Sequence, residues 1–407
     1  MSGEKIYEGV FAVHKPQGIT SADVIRNLQH HFNPSKLFQP WLETERARRK
    51  RESKFQRNRR RTQRLDVKIG HGGTLDPLAT GVLVTGVGKG TKQLNDFLGC
   101  TKSYETVVLF GAETDTYDCL GKIVRRAPYE HVTRAAVEAA LDRFRGKIMQ
   151  RPPIFSALKV NGKKLYEYAR EGKLPPVEIQ ERPVEVSDLR IVEWYEPGSH
   201  EYRWPEQEAP AEEKAVAEKL LEKDDALPVA PSTSEEDVTA DAPAAVSKRK
   251  TPPPEGSPKD GDQVPAEDES APTAKKQKVS AEGEAAPVEP EQPSSKEEET
   301  EKPETPEAKT DAPKAQPPAV KIVMTVSSGF YVRSLAHDLG KAVGSCGLMS
   351  SLIRTRQAHF NLDPEKVLEY KDLEAGEEVW GPKVQRFLEE WEKKREAEEK
   401  DSARASP

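Results

Sequence analysis

Residues 70–83 read GHGGTLDPLATGVL. Four glycines (Gly70, Gly72, Gly73, Gly81) fall within this stretch. Glycine at that density implies a tight backbone with left-handed positions, or close approach to a ligand. Asp76 stands directly before Pro77. The proline ring disfavours a helical conformation at the preceding residue, so the carboxylate is held on an extended, rigid loop. His71 lies five residues earlier on the same loop. Spacing alone also accommodates a plain Asp-Pro turn with a structural histidine.

The periodicity on either side points to a mixed α and β chain. Upstream, GVFAVHKP reads as a strand with Val10, Ala12 and His14 alternating, and KPQGITS as a turn. Ser21 is placed to cap a helix through His31, with Val24, Ile25 and Leu28 on one face. Downstream, Val82–Val87 and Glu105–Phe110 read as strands, and Thr91–Leu98 as a short helix. Thr133–Arg145 reads as a helix capped by Thr133, with Val137, Ala140, Leu141 and Phe144 as its stripe. Ile322, Met324 and Val326 alternate as a half-buried strand, and a helix with Leu335, Leu339 and Val343 on one side follows. The sequence SSLIRTRQAHF reads as a further strand.

Charge divides the chain into unlike parts. The net charge is −6 over 407 residues, and mean hydropathy is −0.77. Residues 205–320 hold 29 acidic and 14 basic residues, about −15, which leaves about +9 for the rest. Residues 36–68 hold 13 basic and 4 acidic residues. A cationic block of that density suits a polyanion, or else stays solvated. Between Trp204 and Phe330 there is no aromatic residue, and Pro, Glu, Ala, Lys and Ser dominate. Such a composition buries too little apolar surface to offset its ordering entropy. Three cysteines (Cys100, Cys119, Cys346), an odd number at long spacing, argue against a disulfide framework and for a reducing compartment. No apolar run reaches membrane-spanning length, and the N-terminus lacks a signal-peptide core.

Other motif readings fail. TGVGKGTK at 85–92 suggests a P-loop, but Leu83 stands where that pattern needs glycine. ETDTYDCLG suggests a calcium loop, but Tyr117 and Cys119 would occupy ligand positions after Asp115. No histidine pair has zinc spacing with a third ligand nearby. We expect no metal and no cofactor.

The segment 70–83 resembles the catalytic motif of TruB-type pseudouridine synthases, with Asp76 in the place of the catalytic aspartate. Four further segments resemble the same family. They are HKPQGITS at 14–21, KSYETVVLFGAETDTYDCLG at 102–121, RPPIFSALKVNGKKLYEYAREG at 151–172 and GFYVRSLAHDLG at 329–340. The resemblance implies the α+β pseudouridine synthase fold: a mixed, largely antiparallel sheet with flanking helices and a central RNA-binding cleft. It implies catalytic roles for Asp76, for Tyr104 as the stacking tyrosine and for Arg333 as the arginine that pairs with the aspartate. It implies substrate-binding roles for His71, Lys15, Tyr331, Leu352 and Arg354, with Lys15 open to a structural role and Arg354 to support of the backbone.

The expected organisation is one catalytic domain over 8–204 and 320–361, split by insertions. These are a basic insertion at 34–66 and an acidic disordered loop at 205–319. A charged tail at 362–407, helical in places such as Lys383–Lys400, is too short for the PUA domain of the guide-dependent branch. That favours the stand-alone branch, most like its fungal members. Its expected partner is the T stem-loop of tRNA, with mRNA as a second substrate class, no guide RNA, no membrane, and a monomeric state. The alternatives are a non-catalytic RNA-binding or tRNA-folding chaperone on the same scaffold, and a synthase acting mainly on mRNA. SKRK at 247–250 and KKQKV at 275–279 resemble nuclear import signals. The expected compartments are nucleus and cytoplasm, with mitochondrion as a further one.

Overall fold

The computed structural model describes residues 4–58, 64–156, 158–171, 175–211, 214 and 316–405. Apart from its ends, the acidic stretch 205–319 lies outside the described residues, as do both basic clusters within it. The folded unit is built from residues before and after that stretch.

In chain order the elements begin with β1 (Gly9–Lys15), α1 (Ser21–Phe32), α2 (Gln39–Lys50) and α3 (Lys54–Asn58). They continue with β2 (Ile69–His71), β3 (Thr80–Val87), α4 (Leu94–Gly99), β4 (Lys102–Phe110), β5 (Ala112–Thr114) and β6 (Ile123–Arg126). Next come α5 (Arg134–Leu141), β7 (Gly146–Gln150), β8 (Lys159–Val160), β9 (Lys163–Lys164), α6 (Leu165–Arg170) and β10 (Arg182–Tyr195). The last are β11 (Ala319–Val326), α7 (Val332–Ala342), β12 (Gly347–Gln357), β13 (Phe360–Asn361), β14 (Val367–Glu369) and α8 (Glu377–Ala405).

One sheet runs β14-β1-β3-β12-β4-β11-β10-β7, with β2 on β3 and β13 on β12. Only β14–β1 and β12–β3 pair in parallel, so the sheet is mixed and largely antiparallel, as expected. Strand β1 is buried on both faces: Phe11 and Val13 join the main core, Val10 and Ala12 a second cluster with Val82, Val84 and Phe97. The strands β10 and β11 that flank the acidic stretch pair along their length, from Val186 opposite Val326 to Tyr195 opposite Ala319. The insertion therefore leaves the sheet between two neighbouring antiparallel strands.

Four local readings need correction. The cap of α1 is Thr20, not Ser21: Thr20 and Asp23 form a reciprocal capping box. The expected helix over Thr91–Leu98 is instead a 3-10 turn at Gly88–Lys92 followed by α4. The basic insertion is not merely solvated, because Phe38, Trp41 and Leu42 belong to the main core. Its residues 59–63 lie outside the described residues. The charged tail is likewise structural. Trp380, Val384, Phe387 and Leu388 recur at helical spacing on α8 and are buried in that core, with Trp380 stacked on Phe32 at 4.8 Å. In addition, β14 extends the sheet beside β1.

Candidate active site

The loop between β2 and β3 carries Asp76, and buried polar groups fix nearly every turn of it. Ser21 Oγ accepts from the Leu75 N–H at 2.8 Å and donates to the Leu75 carbonyl at 3.1 Å. The Gly18 N–H donates to the Pro77 carbonyl at 2.9 Å. Lys15 Nζ donates to the carbonyls of Ala79 at 2.6 Å, Pro16 at 2.9 Å and Pro77 at 3.4 Å. Arg354 donates to the carbonyls of Val82 at 2.7 Å, Gly73 at 3.2 Å and Thr74 at 3.4 Å. Gln357 Nε2 donates to the Gly72 and Phe97 carbonyls. Leu75, Leu78 and Ala79 anchor the loop from below. Gly81 takes φ +107°, and a Cβ there would lie 2.3 Å from the Arg354 carbonyl oxygen, so only glycine lets β3 approach β12 this closely.

On this fixed loop the Asp76 carboxylate meets Arg333. Arg333 Nε donates to Asp76 Oδ2 at 2.8 Å. Its other two nitrogens donate to the Thr116 carbonyl at 2.9 Å and the Phe155 carbonyl at 2.8 Å. Every nitrogen of the guanidinium is thus engaged, and the group is fixed in orientation. The arginine side chain is 7% exposed and the aspartate 35%, so Asp76 presents a free edge to solvent while its partner is sealed in. A second carboxylate, Asp118, approaches Arg333 Nε at 3.9 Å. Burial pushes the Asp118 pKa up, against the pull of Arg333, the Thr116 hydroxyl and the Leu120 N–H.

Three other expected residues converge on the same sheet face. Tyr104 on β4 lies directly opposite Arg354 on β12, and Leu352 opposite Thr106, so Tyr104, Leu352 and Arg354 share a face. Tyr104 is 8% exposed, within the main core, as is Leu352. Tyr331 is the N-cap of α7, two residues before Arg333. The Gln150 side chain clamps it, accepting from its N–H at 2.8 Å and donating to its carbonyl at 3.1 Å. Burial raises the Tyr331 pKa, opposed by the Ser156 hydroxyl. His71 on β2 is pushed down in pKa by burial first and by the Arg354 charge second, which favours the neutral ring.

Of the two roles left open for Lys15 and Arg354, this geometry fits support of the backbone. Lys15 is fully buried and Arg354 is 1% exposed, and the cationic groups of both are occupied by loop carbonyls. They hold the loop, with their cationic groups buried away from solvent. Sequence reasoning missed the supporting residues Ser21, Gln150, Gln357 and Asp118. The capping region and the TDTYD turn carried the only signals for them.

Lys15→Met is therefore expected to leave tRNA affinity and its salt dependence unchanged, since the buried ammonium neutralises no phosphate. The rate at saturating RNA should fall roughly 10–100-fold as the loop loosens. Burial lowers the Lys15 pKa to about 8 from 10.5. The unfolded chain then binds more protons between those values, so wild type gains stability over the variant as pH rises from 8 to 10.5, by up to about 3 kcal/mol. Denaturant melts of both proteins across that range check the sign.

Among the described residues no group of three or more His, Cys, Asp or Glu could hold a metal, and no helix is long and apolar enough to cross a membrane.

Residues 59–205 match the model for the TruB family pseudouridylate synthase (N terminal domain). The chain is 38% identical over 369 residues to tRNA pseudouridine synthase 4 of Schizosaccharomyces pombe, covering 90% of this chain and 83% of that one. It is 33% identical over 389 residues to tRNA pseudouridine synthase 4 of Saccharomyces cerevisiae, covering 94% and 85%. A solved structure of an archaeal box H/ACA sRNP Nop10-Cbf5 complex aligns at 15% identity and a TM-score of 0.40, over 94% of this chain and 59% of that chain.

Proposed function

This chain belongs to the TruB family of pseudouridine synthases, and from that premise we propose that it converts uridine 55 in the T-loop of tRNA to pseudouridine, with Asp76 as the catalytic carboxylate. The observation that carries the reading is the Asp76–Arg333 pair. It is a carboxylate with one free edge, held on a glycine-rich loop.

The reaction breaks the N1–C1′ bond, turns the uracil and joins C5 to C1′. The proton displaced from C5 is matched by one gained at N1, so no oxidant or reductant is consumed. Asp76 suits either of two roles: nucleophile at C1′, or the base that drives a glycal-like intermediate. Arg333 keeps the carboxylate aimed. The target uridine must leave its stack to reach the loop, and Tyr104 offers an aromatic surface in place of the missing neighbours. Tyr331, Leu352 and neutral His71 line the approach, while Lys15 and Arg354 hold its floor. The reading is of a monomer that needs no guide RNA and recognises the T stem-loop by shape. The test is site mapping of pseudouridine on an unmodified tRNA transcript. Conversion at the T-loop uridine supports the reading, and its absence there sinks it.

The basic insertion supports a polyanionic partner. A groove of about 720 Å³ lies beside α2, lined by Arg48, Arg49, Arg64, Lys68, Lys89 and Lys92 against Glu8, Glu45 and Asp66. Deleting the insertion would remove Trp41 and Leu42 from the core, so charge removal is the cleaner test. Changing the exposed Arg46, Lys50 and Arg51 to glutamine should weaken tRNA binding. It should flatten the salt slope by about 0.7–0.9 for each phosphate no longer neutralised, with the saturating rate unchanged. An unaltered slope would mean that these charges are only solvated.

A further inference from the structure

We propose that Tyr117 and His337 are positioning residues whose stacked rings hold a strained turn against Arg333 and thereby keep the Arg333–Asp76 pair aligned. The proposal rests on the reaction assigned above.

Tyr117 takes φ +63°, in the left-handed region. That conformation is costly for a bulky residue, so its surroundings must compensate. Its two chain neighbours are both partners of Arg333: the Thr116 carbonyl accepts from the guanidinium at 2.9 Å, and the Asp118 carboxylate lies 3.9 Å from Nε. The unusual backbone at Tyr117 is what turns both groups toward one arginine.

The compensation is visible. The Tyr117 ring lies on the His337 ring, centroids 4.1 Å apart and planes within 9°. Tyr117 is 7% exposed and His337 2%. His337 stands four residues after Arg333 on α7, hence one turn along the same helix face. The stack therefore ties the turn that supplies two of Arg333's partners to the helix that supplies Arg333 itself. A buried acid steadies the histidine: Glu113 Oε2 lies 3.3 Å from its Nδ1, and Arg125 Nε lies 2.8 Å from Glu113 Oε1. The Met349 N–H donates to the Tyr117 carbonyl at 3.0 Å, fixing the backbone from the sheet side. None of these groups reaches the free edge of Asp76, so they act through Arg333 and not on the substrate.

Two pairs of variants test this. Tyr117→Gly accepts the left-handed backbone without strain but removes the ring, whereas Tyr117→Phe keeps the stack. His337→Ala removes the other ring, and His337→Phe restores it. Single-turnover rates at saturating tRNA should fall roughly 10–100-fold in Tyr117→Gly and His337→Ala, and stay within about threefold of wild type in the two phenylalanine variants. tRNA affinity should stay constant throughout.

The Arg333 Nε–H resonance, assigned by its disappearance in Arg333→Lys, gives a readout independent of catalysis. It should be protected from exchange in wild type and both phenylalanine variants, and exchange fast in the other two. Equal rates and equal protection in Tyr117→Gly and Tyr117→Phe would overturn the proposal, as would a fall in affinity in step with rate. If wild type formed no pseudouridine, the assigned reaction would fail, and the exchange measurement would still decide the positioning role.

Discussion

Asp76→Asn should abolish pseudouridine formation at the T-loop while leaving tRNA affinity within about threefold of wild type. The amide keeps the shape and one hydrogen-bonding oxygen, so the Arg333 hydrogen bond at 2.8 Å can persist and the loop need not move. What it loses is the negative charge that either route demands, since an amide neither attacks C1′ nor takes up the C2′ proton whose loss gives the glycal. Removing a nucleophile from a unit that works as a whole costs at least about 10⁴-fold. Affinity should survive because the phosphate interactions that dominate RNA binding lie elsewhere, and Asp76 repels phosphate if it acts on it at all. The measurement is pseudouridine mapping and filter binding on the same transcript. Residual conversion by the variant at more than about a hundredth of the wild-type rate would remove Asp76 from the chemistry. Binding without conversion by wild type itself would favour a tRNA-folding chaperone on this scaffold.

The site was legible where its chemistry is local in sequence. Asp76 sits in a run of glycines before a proline, and Arg333 at the start of an amphipathic helix. Their meeting, across 257 residues and the acidic stretch, came from the family resemblance and not from periodicity. The two cations left open between substrate and backbone show the limit of such reading. A lysine or arginine in a motif looks the same whether it will grip a phosphate or a backbone carbonyl. Burial decides between them, and the packing of loop 70–83 onto β1 and β12 sets that burial. The tail's place in the core escaped reading for a different reason, although its helix was legible. Trp380, Val384, Phe387 and Leu388 keep helical spacing, but the charged residues around them dominate the composition of α8. The cap of α1 was a choice between adjacent hydroxyls, and Asp23 settles it because it stands three residues after Thr20 and two after Ser21.

Arg333→Ala is the second change expected to be severe, and it should act on both rate and stability. The side chain is 7% exposed and serves three acceptors on three separate segments: the Asp76 carboxylate and the carbonyls of Thr116 and Phe155. Removing it leaves those carbonyls short of a donor and the two carboxylates of Asp76 and Asp118 without the shared cation. Leaving the partners of a buried charge unpaired costs about 3 kcal/mol, or about 6–12 °C in Tm for a unit of this size. The rate at saturating RNA should fall at least about 10³-fold, because the carboxylate loses the group that aims it. Lysine should not rescue it. A point charge reaches one of the three acceptors, whereas the planar fork reaches all of them. If Arg333 works only through Asp76, the double variant with Asp76→Asn should be no slower than Asp76→Asn alone. A further drop in the double variant would show that Arg333 touches the reacting nucleotide directly. Its burial beneath the loop argues against that outcome, because each of the three guanidinium nitrogens already donates to the protein.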